Sequence, residues 1–324
     1  MATAEQIKAL IKSHLSGDEE QFRTVALQVA AHAARHGHGQ VATELKHLLD
    51  AARTARRATA PTPIVTPKGE LSGLLAVSYP KTRLSDMVLS EDIDVQLRRL
   101  LREQRSRQKL EAHGLSPRRK LLLVGPPGSG KTMTASAIAG ELHLPLYVIV
   151  FDSLITKFMG ETAAKLRLVF DAMNHQRGVY LFDEFDAIGA HRSSPNDVGE
   201  IRRVLNSFLQ FLEQDASPSL VLAATNHPEA LDRALFRRFD DVIQYALPPR
   251  ALVERAVRNR LASFDLGAIV WDEVAAAADG LSYADLAQAA DAAAKQAVLD
   301  DAEQLDTSEL VKALEERRVR HQAL

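Results

Sequence analysis

The sequence predicts an α/β fold, in which a parallel sheet is covered by helices on both faces. Short apolar runs alternate with helical stretches, and this alternation is typical of parallel strands joined by crossover helices. The runs are LLLV at 121–124, YVIVF at 147–151, VYLF at 179–182, LVLAA at 220–224 and VIQYAL at 242–247. A glycine-rich turn follows the first run, and Ala-rich helical sequence follows Pro248 and Pro249. This Ala-rich sequence predicts a small helical domain after the sheet.

The chain is predicted to have four parts. Apolar residues in 1–56 recur at helical spacing, which predicts a helical bundle. Three prolines between residues 57 and 72 predict an extended linker, because proline cannot donate to a helix ladder. With its lead-in, this linker covers 57–81. We expect the α/β domain over 82–247 and a helical lid domain over 248–324.

Composition excludes several kinds of site. The 324 residues include 40 Lys and Arg, 42 Asp and Glu and no Cys, for a net charge of −2. This balance gives no overall attraction to nucleic acid or anionic membranes, and thiolate metal sites are excluded. No run approaches the ~20 apolar residues of a membrane helix, and the N-terminus lacks the apolar core of a signal peptide. We therefore expect a cytoplasmic protein.

A basic helix is predicted over 92–112. Its arginines could suggest nucleic-acid binding, but Glu and Asp are interleaved with them and no aromatic side chain is present to stack on bases. The pattern favours a solvated helix face or a subunit contact.

The segment GPPGSGKT, from Gly125 to Thr132, has the pattern of a phosphate-binding loop. It follows an apolar strand and precedes a helix, so glycine backbone N–H groups and the helix N-terminus can face phosphates. Lys131 can bridge the β- and γ-phosphates, and the Thr132 hydroxyl can hold Mg²⁺. The fold class is therefore that of a P-loop NTPase. The predicted nucleotide-binding residues are Gly125, Pro126, Pro127, Gly128, Ser129, Gly130, Lys131, Thr132, Met133 and Asp183.

Two further strand ends carry polar residues. In VYLFDEFDAIG (179–189), Asp183 can orient Mg²⁺ together with Thr132, and Glu184 can act as general base toward the attacking water. Asn226 follows the strand at 220–224 and could hold that water or the γ-phosphate, or it could be a plain helix N-cap. Together with the loop, these residues predict ATP hydrolysis.

Arg237 and Arg238 stand side by side in LDRALFRRFDD (231–241). Paired arginines near a nucleotide site can neutralise transition-state charge. Such a pair is also a common solvated surface feature.

These segments, in this order over residues 82–300, resemble the AAA (AAA+) ATPase module. GPPGSGKT resembles its Walker A motif, LFDE its Walker B motif and Asn226 its sensor-1 asparagine. Arg237 and Arg238 match the arginine-finger region, which implies a ring, usually a hexamer, whose fingers reach the neighbour's nucleotide. The resemblance implies an ATP hydrolase with Lys131, Glu184, Asn226, Arg237 and Arg238 as its catalytic residues. DMVL (86–89) lies where the family has its adenine-pocket segment.

The chain departs from the family pattern at two places. GLSYADL (280–286) resembles the start of the sensor-2 helix, but Tyr283 replaces the usual glycine. The two finger arginines are adjacent, whereas the common form has Pro-Gly between them.

The segment KFMGET (157–162) resembles the pore loop of AAA unfoldases. The resemblance implies that Lys157, Phe158 and Met159 line the pore of a ring. A large aromatic side chain can grip a threaded backbone through dispersion and apolar contact, without reading its sequence. An ordinary core Phe and Met is the alternative.

Three functions are compatible with these motifs. The first is an ATP-driven ring that threads, unfolds or remodels a polypeptide, with 1–56 choosing the substrate or partner. The second is an ATP-dependent switch of a separate effector.

This second function is suggested by the layout, which resembles bacterial AAA proteins that are encoded beside a subtilisin-like serine protease in antiphage defence or in toxin–antitoxin plasmid maintenance. The sequence contains no H-E-x-x-H or G-x-S-x-G motif, so we expect no protease activity of its own. The third, a nucleic-acid remodeller, is disfavoured by the charge.

Overall fold

A computed structural model describes residues 69–149, 159–186, 195–231, 233–300 and 304–322, with the single residues 29 and 302. The chain divides into two compact units, Met1–Pro63 and Ile64–Leu324. The predicted bundle over 1–56 lies outside the described residues except for Val29, and so does the proline-rich stretch up to residue 68. The second unit contains the sheet and the helices that pack on it.

The described residues form a six-stranded sheet in the order β1-β3-β4-β5-β2-β6. Neighbours from β3 to β6 run parallel, and β1 is antiparallel to β3 at one edge. The strands are β1 Leu75–Ser78, β2 Lys120–Val124, β3 Leu146–Ile149, β4 Val179–Phe182, β5 Leu220–Thr225 and β6 Asp241–Gln244. The predicted fold class is confirmed. β6 ends at Gln244, so the last three residues of the run at 242–247 are not strand.

Helices cover both faces of the sheet and form the region after it. The longer helices before β6 are α1 Glu91–Arg105, α2 Arg107–Ala112, α3 Lys131–Leu142, α4 Met159–His175 and α5 Pro195–Gln214. They are followed by the one-turn α6 Arg233–Phe236, and after the sheet by α7 Arg250–Arg260, α8 Trp271–Ala277, α9 Tyr283–Leu299 and α10 Thr307–Gln322. Short 3₁₀ turns occupy Gly69–Gly73, Leu84–Asp86 and Pro228–Ala230.

The central strands are mostly apolar because both faces of the sheet are buried there, and their polar residues, Lys120 and Thr225, stand at strand ends. In β2, Leu122 and Val124 belong to one core with helices α4 and α5, while Leu121 and Leu123 belong to the opposite core with α1 and α3. Successive strand side chains point to opposite faces of the sheet. A strand covered on both sides therefore has no solvated face that would favour alternating polar residues. This geometry explains the continuous apolar runs.

The core beneath the strand that precedes Asp183 is aromatic. The ring centroids of Phe182 and Phe208 lie 5.0 Å apart in an edge-to-face arrangement, and those of Phe185 and Phe208 lie 4.7 Å apart. All three side chains are fully buried. These contacts fix the carboxyl end of β4 against α5.

The helices after β6 have a separate hydrophobic core, whose buried members include Val257, Leu261, Val274, Leu286 and Leu310. Helix α9 begins with a capping box. The Ser282 hydroxyl accepts the N–H of Asp285, and the Asp285 carboxylate accepts the N–H of Ser282. This box satisfies N–H groups that an uncapped helix end leaves without partners.

The basic helix predicted over 92–112 is two helices, α1 and α2, which meet at Ser106. Most of its arginines are paired with carboxylates of the same chain. The pairs are Arg98 with Asp94, Arg99 with Glu103, Arg105 with Glu141 and Arg107 with Glu111. These intrachain pairs favour the solvated helix face over a nucleic-acid surface. In the described part of the chain, no helix is long and apolar enough to cross a membrane.

Candidate functional site

The glycine-rich loop lies at the carboxyl end of β2, beside the ends of β4 and β5. Val124 pairs with Thr225 and Phe182 pairs with Ala223, so the three strands end at the same edge. In an open parallel sheet, ligands bind at this edge. Within the loop, Gly128 has φ 70° and Gly130 has φ 103°, which are left-handed values that favour glycine. Glycine therefore occupies the two loop positions at which the backbone adopts a left-handed conformation.

The Lys131 ammonium is held at the centre of the loop. Its Nζ donates to the carbonyl oxygens of Gly125 at 2.8 Å and Pro126 at 2.9 Å, and to Asn226 Oδ1 at 2.7 Å. Lys131 is only 6% exposed. Burial lowers the pKa of Lys131, and the nearby carboxylates of Asp183 and Asp186 oppose that shift. The cation is thus already positioned where phosphates would enter.

Asp183 and Thr132 meet although they are far apart in sequence. The Thr132 hydroxyl donates to Asp183 Oδ2 at 2.7 Å. A hydroxyl and a carboxylate oxygen are ligands that suit Mg²⁺, which usually takes few protein ligands together with water and substrate phosphates. Among the described residues, no group of three or more His, Asp and Glu side chains could hold a metal ion by itself.

Ser129 has a buried hydroxyl inside the loop. The residue is 3% exposed, and its Oγ has no hydrogen-bond partner among the described residues. A buried polar atom of this kind calls for a partner. The loop therefore fits a ligand that accepts hydrogen bonds, as phosphate does.

Glu184 has an unusual backbone. Its φ is 51°, a left-handed value that is uncommon for a residue other than glycine. The N–H of Glu184 donates to Asp183 Oδ1 at 3.0 Å, and the N–H of Phe185 donates to the carbonyl of Ala224 at 2.8 Å. The buried Phe185 ring anchors this turn, and the Glu184 side chain is exposed. Such strain in a tightly determined turn is typical of functional sites.

Asn226 is drawn into the site by two partners. Its side-chain oxygen accepts from Lys131, and its backbone N–H donates to Asp186 Oδ1 at 3.2 Å. The short 3₁₀ helix that follows has His227, not Asn226, at its N-cap position. Asn226 therefore contacts the loop and is not a plain cap. The sequence analysis missed Asp186; the signal was a second aspartate three residues after Asp183.

Arg237 and Arg238 follow helix α6, and both are exposed. The Arg238 guanidinium forms an ion pair with Glu213 of α5. Among the described residues, no hydrogen bond or ion pair joins either arginine to Lys131, Thr132 or Asp183. The structure thus brings the loop, Asp183 and Asn226 together but leaves the two arginines outside that group.

The helical region after the sheet contacts the loop directly. The N–H of Ala284 donates to the Gly128 carbonyl at 3.1 Å, and a Cβ at Gly128 would lie 2.4 Å from Ser282 Oγ. Tyr283 lies between these two contacts at the start of α9, and its burial raises the pKa of its phenol. The segment that resembles the sensor-2 start therefore meets the loop.

A second contact lies beneath the loop. A Cβ at Gly125 would lie 2.5 Å from the Tyr245 carbonyl oxygen, so the loop begins against the end of β6. The Tyr245 hydroxyl lies 2.6 Å from Thr134 Oγ1, which donates to the carbonyl of Gly130 at 3.0 Å. Burial raises the pKa of Tyr245 to about 12, so the phenol stays protonated. The sequence analysis did not foresee this pair.

Part of the predicted pore loop lies outside the described residues. Lys157 and Phe158 are among residues 150–158, of which the structure describes nothing. Met159 is the first residue of α4. The pore-loop assignment stays a prediction.

Comparisons with known proteins agree with this architecture. The model of the family "ATPase family associated with various cellular activities (AAA)" matches residues 121–247. A relative named "Uncharacterized AAA family ATPase y4kL", from Sinorhizobium fredii, is 32% identical over 98% of this chain and 96% of its own length. The chain therefore belongs to the AAA family of ATPases. It is an ATPase that binds and hydrolyses ATP.

Other relatives are longer proteins, and this chain matches only a part of their length. The "ATP-dependent zinc metalloprotease FtsH" of Acidothermus cellulolyticus is 34% identical over 68% of this chain, which corresponds to 34% of the FtsH chain. A solved structure, "Crystal structure of FIGL-1 AAA domain", matches with a TM-score of 0.61 and 23% identity, over 81% of this chain and 96% of that chain. The structural likeness supports the fold.

Proposed function

We propose that this protein uses ATP hydrolysis to thread, unfold or remodel a polypeptide, as a subunit of a homo-oligomeric ring, a hexamer. Membership of the AAA family supports this proposal. The observation that carries it is the contact of Gly128 with Ser282 and Ala284, next to the gathered Lys131 and Asn226. Because the proposed lid touches the phosphate loop, we expect a change at the phosphates to shift it, and such motion is a route from hydrolysis to mechanical work.

The residues at the strand ends have distinct proposed roles. Lys131 binds the β- and γ-phosphates, and its ammonium is released to them from the two loop carbonyls that hold it now. Thr132 and Asp183 are proposed to hold Mg²⁺, which neutralises phosphate charge when bound. Asn226 orients the γ-phosphate or the attacking water, and the exposed Glu184 takes the proton from that water.

The two arginines are proposed to act on the nucleotide of a neighbouring subunit. Both arginines are exposed, but Arg238 is paired with Glu213 of its own chain, whereas no ion pair of Arg237 is found among the described residues. Arg237 is therefore our first choice for the finger. Mixing Arg237→Ala subunits with Lys131→Ala subunits should restore part of the activity, because each lends what the other lacks. Full activity in an Arg237→Ala ring would remove this assignment.

Hydrolysis is tested by Glu184→Gln. We expect normal ATP binding and a loss of at least ~100-fold in turnover, the usual scale of a general base. Near-normal turnover would show that another group takes the proton. A monomer with full ATPase activity would contradict the ring.

The output is tested with the same variant as a trap. Glu184→Gln is purified from its native host with ATP present, and the proteins that copurify are identified by mass spectrometry. Glu184→Gln combined with Phe158→Ala is the matched control. Many unrelated proteins that are lost in the control would support threading of substrates through a pore.

A second candidate function is an ATP-dependent switch of a separate effector, such as a subtilisin-like protease in antiphage defence or plasmid maintenance. It is supported by the resemblance of the sequence layout, a short predicted helical head followed by one AAA module, to bacterial AAA proteins that are encoded beside such a protease. The trap distinguishes the two. One partner at fixed stoichiometry, kept in the Phe158 control and lost on deletion of 1–56, would support the switch.

A further inference from the structure

Asp186 links two strands of the site. It lies in the turn after β4, three residues beyond Asp183, and its Oδ1 accepts the backbone N–H of Asn226 at 3.2 Å. The side-chain oxygen of the same Asn226 accepts from Lys131 Nζ at 2.7 Å. Asp186, Asn226 and Lys131 therefore form a continuous chain of hydrogen bonds from one strand end to the phosphate loop.

The turn that carries Asp186 is fixed from below. Phe185 is fully buried, and its N–H donates to the Ala224 carbonyl at 2.8 Å. This bond continues the pairing of β4 with β5, in which Phe182 lies opposite Ala223. Asp186 is thus placed next to Asn226, the first residue after β5.

The bond from Asn226 to Asp186 gives the Asn226 backbone N–H an acceptor outside the sheet. β5 ends at Thr225, so the N–H of Asn226 has left the ladder and needs another acceptor. A carboxylate supplies a charge-assisted bond, which is stronger than a bond between neutral groups. Fixing this N–H fixes the Cα of Asn226, and with it the starting point of the side chain that reaches Lys131.

We propose that Asp186 is a positioning residue for ATP hydrolysis, which holds Asn226 so that its side-chain amide stays within hydrogen-bond reach of Lys131. This inference rests on the proposed role of Asn226. It predicts that Asp186 contributes to turnover mainly through Asn226. Its direct electrostatic effect on Lys131, which opposes the lowering of the Lys131 pKa by burial, should change ATP binding little.

The test compares kcat, the ATP dissociation constant and the melting temperature of full-length variants. We expect Asp186→Ala to lower kcat about tenfold, on the scale of one charge-assisted hydrogen bond, with an ATP dissociation constant changed less than about twofold. Asp186→Asn should recover most of this loss, because its amide oxygen can accept the same N–H. Glu229→Ala is the control, since this exposed carboxylate is hydrogen-bonded to His227 nearby and, in the described part of the chain, no hydrogen bond joins it to Asn226.

A double-mutant cycle then separates positioning from a general structural effect. If Asp186 acts through Asn226, Asp186→Ala adds no further loss to Asn226→Ala. Losses that multiply would overturn the inference, and so would wild-type kcat or lost ATP binding in Asp186→Ala. If Asp186→Ala does not fold, Asp186→Asn is measured instead. A tenfold loss of kcat in Asp186→Asn would overturn the inference, and retained kcat in that variant would support the inference.

The cycle also separates this inference from the proposed function. Wild-type kcat in Asn226→Ala would remove the proposed role of Asn226, and the inference with it. A slow Asn226→Ala beside a fast Asp186→Ala would overturn the inference alone.

Discussion

Gly128→Ala tests the contact between the phosphate loop and the start of α9, in the predicted lid domain. Gly128 has φ 70°, and an L-residue forced into the left-handed region costs about 1–2 kcal/mol. The added Cβ would lie 2.4 Å from Ser282 Oγ and 3.0 Å from the Cβ of Ala284, so the loop or the start of α9 must move. That movement also breaks the bond from the Ala284 N–H to the Gly128 carbonyl, worth about 1 kcal/mol.

Together these terms lower the free energy of unfolding by about 2–3 kcal/mol. We expect ATP affinity to fall about tenfold or more, because the displaced loop must be restored on binding and 1.4 kcal/mol is a factor of ten. Denaturant unfolding measures the first quantity, and titration with a fluorescent ATP analogue measures the second.

Gly114 provides a matched control within the same chain. Its φ is 72°, and a Cβ there would meet nothing within 4 Å. Gly114→Ala should therefore carry the backbone strain of about 1–2 kcal/mol without any change in ATP affinity. Gly128→Ala combined with Ser282→Gly should recover part of the loss, since glycine costs a helix N-cap only a few tenths of a kcal/mol. If Gly128→Ala behaves like Gly114→Ala in both assays, the reasoning about the lid contact is refuted.

Three further changes test other parts of the structure. Tyr245→Phe removes the hydroxyl bonded to Thr134; we expect about 1 kcal/mol less stability and ATP binding weakened a few-fold, and unchanged affinity would separate this pair from the loop. Asp215→Ala leaves the Arg119 guanidinium without its buried carboxylate and should cost about 3–5 kcal/mol in urea unfolding, an expectation that a wild-type midpoint would contradict. Phe208→Ala opens a cavity among the buried aromatic rings and should cost about 3–5 kcal/mol; a loss below that range would show that the core refills.

The sequence predicted the parallel sheet because each central strand is buried on both faces, and such a strand consists of an almost unbroken run of apolar residues. It missed β1, Leu75–Ser78, because this edge strand is short and only partly buried, so its pattern is not continuous. It also extended the last strand past Gln244 and joined α1 to α2 through Ser106, since apolarity and helical spacing do not mark where backbone hydrogen bonds stop.

The phosphate loop was readable from sequence alone because its chemistry is local. Glycines, lysine and threonine within eight residues define the turn, the cation and the hydroxyl together, and Gly128 and Gly130 have the left-handed backbone that only glycine adopts at little cost. Asp183 and Asn226 were found for a related reason, since a polar residue at the end of a buried strand is conspicuous.

Only the tertiary structure decided which of these residues meet. Lys131 and Asn226 are 95 positions apart, and their contact depends on β2 lying beside β5 in the sheet. The contacts of Asp186 with Asn226 and of Ser282 with Gly128 could not be predicted either, because a local pattern does not record which distant segment packs against it. The sequence by itself determined the fold class, the loop and the strand-end polar residues, which periodicity and turn chemistry encode locally. Strand order, the contact of α9 with the phosphate loop and the hydrogen bonds between strands depend on how distant segments of the chain pack together.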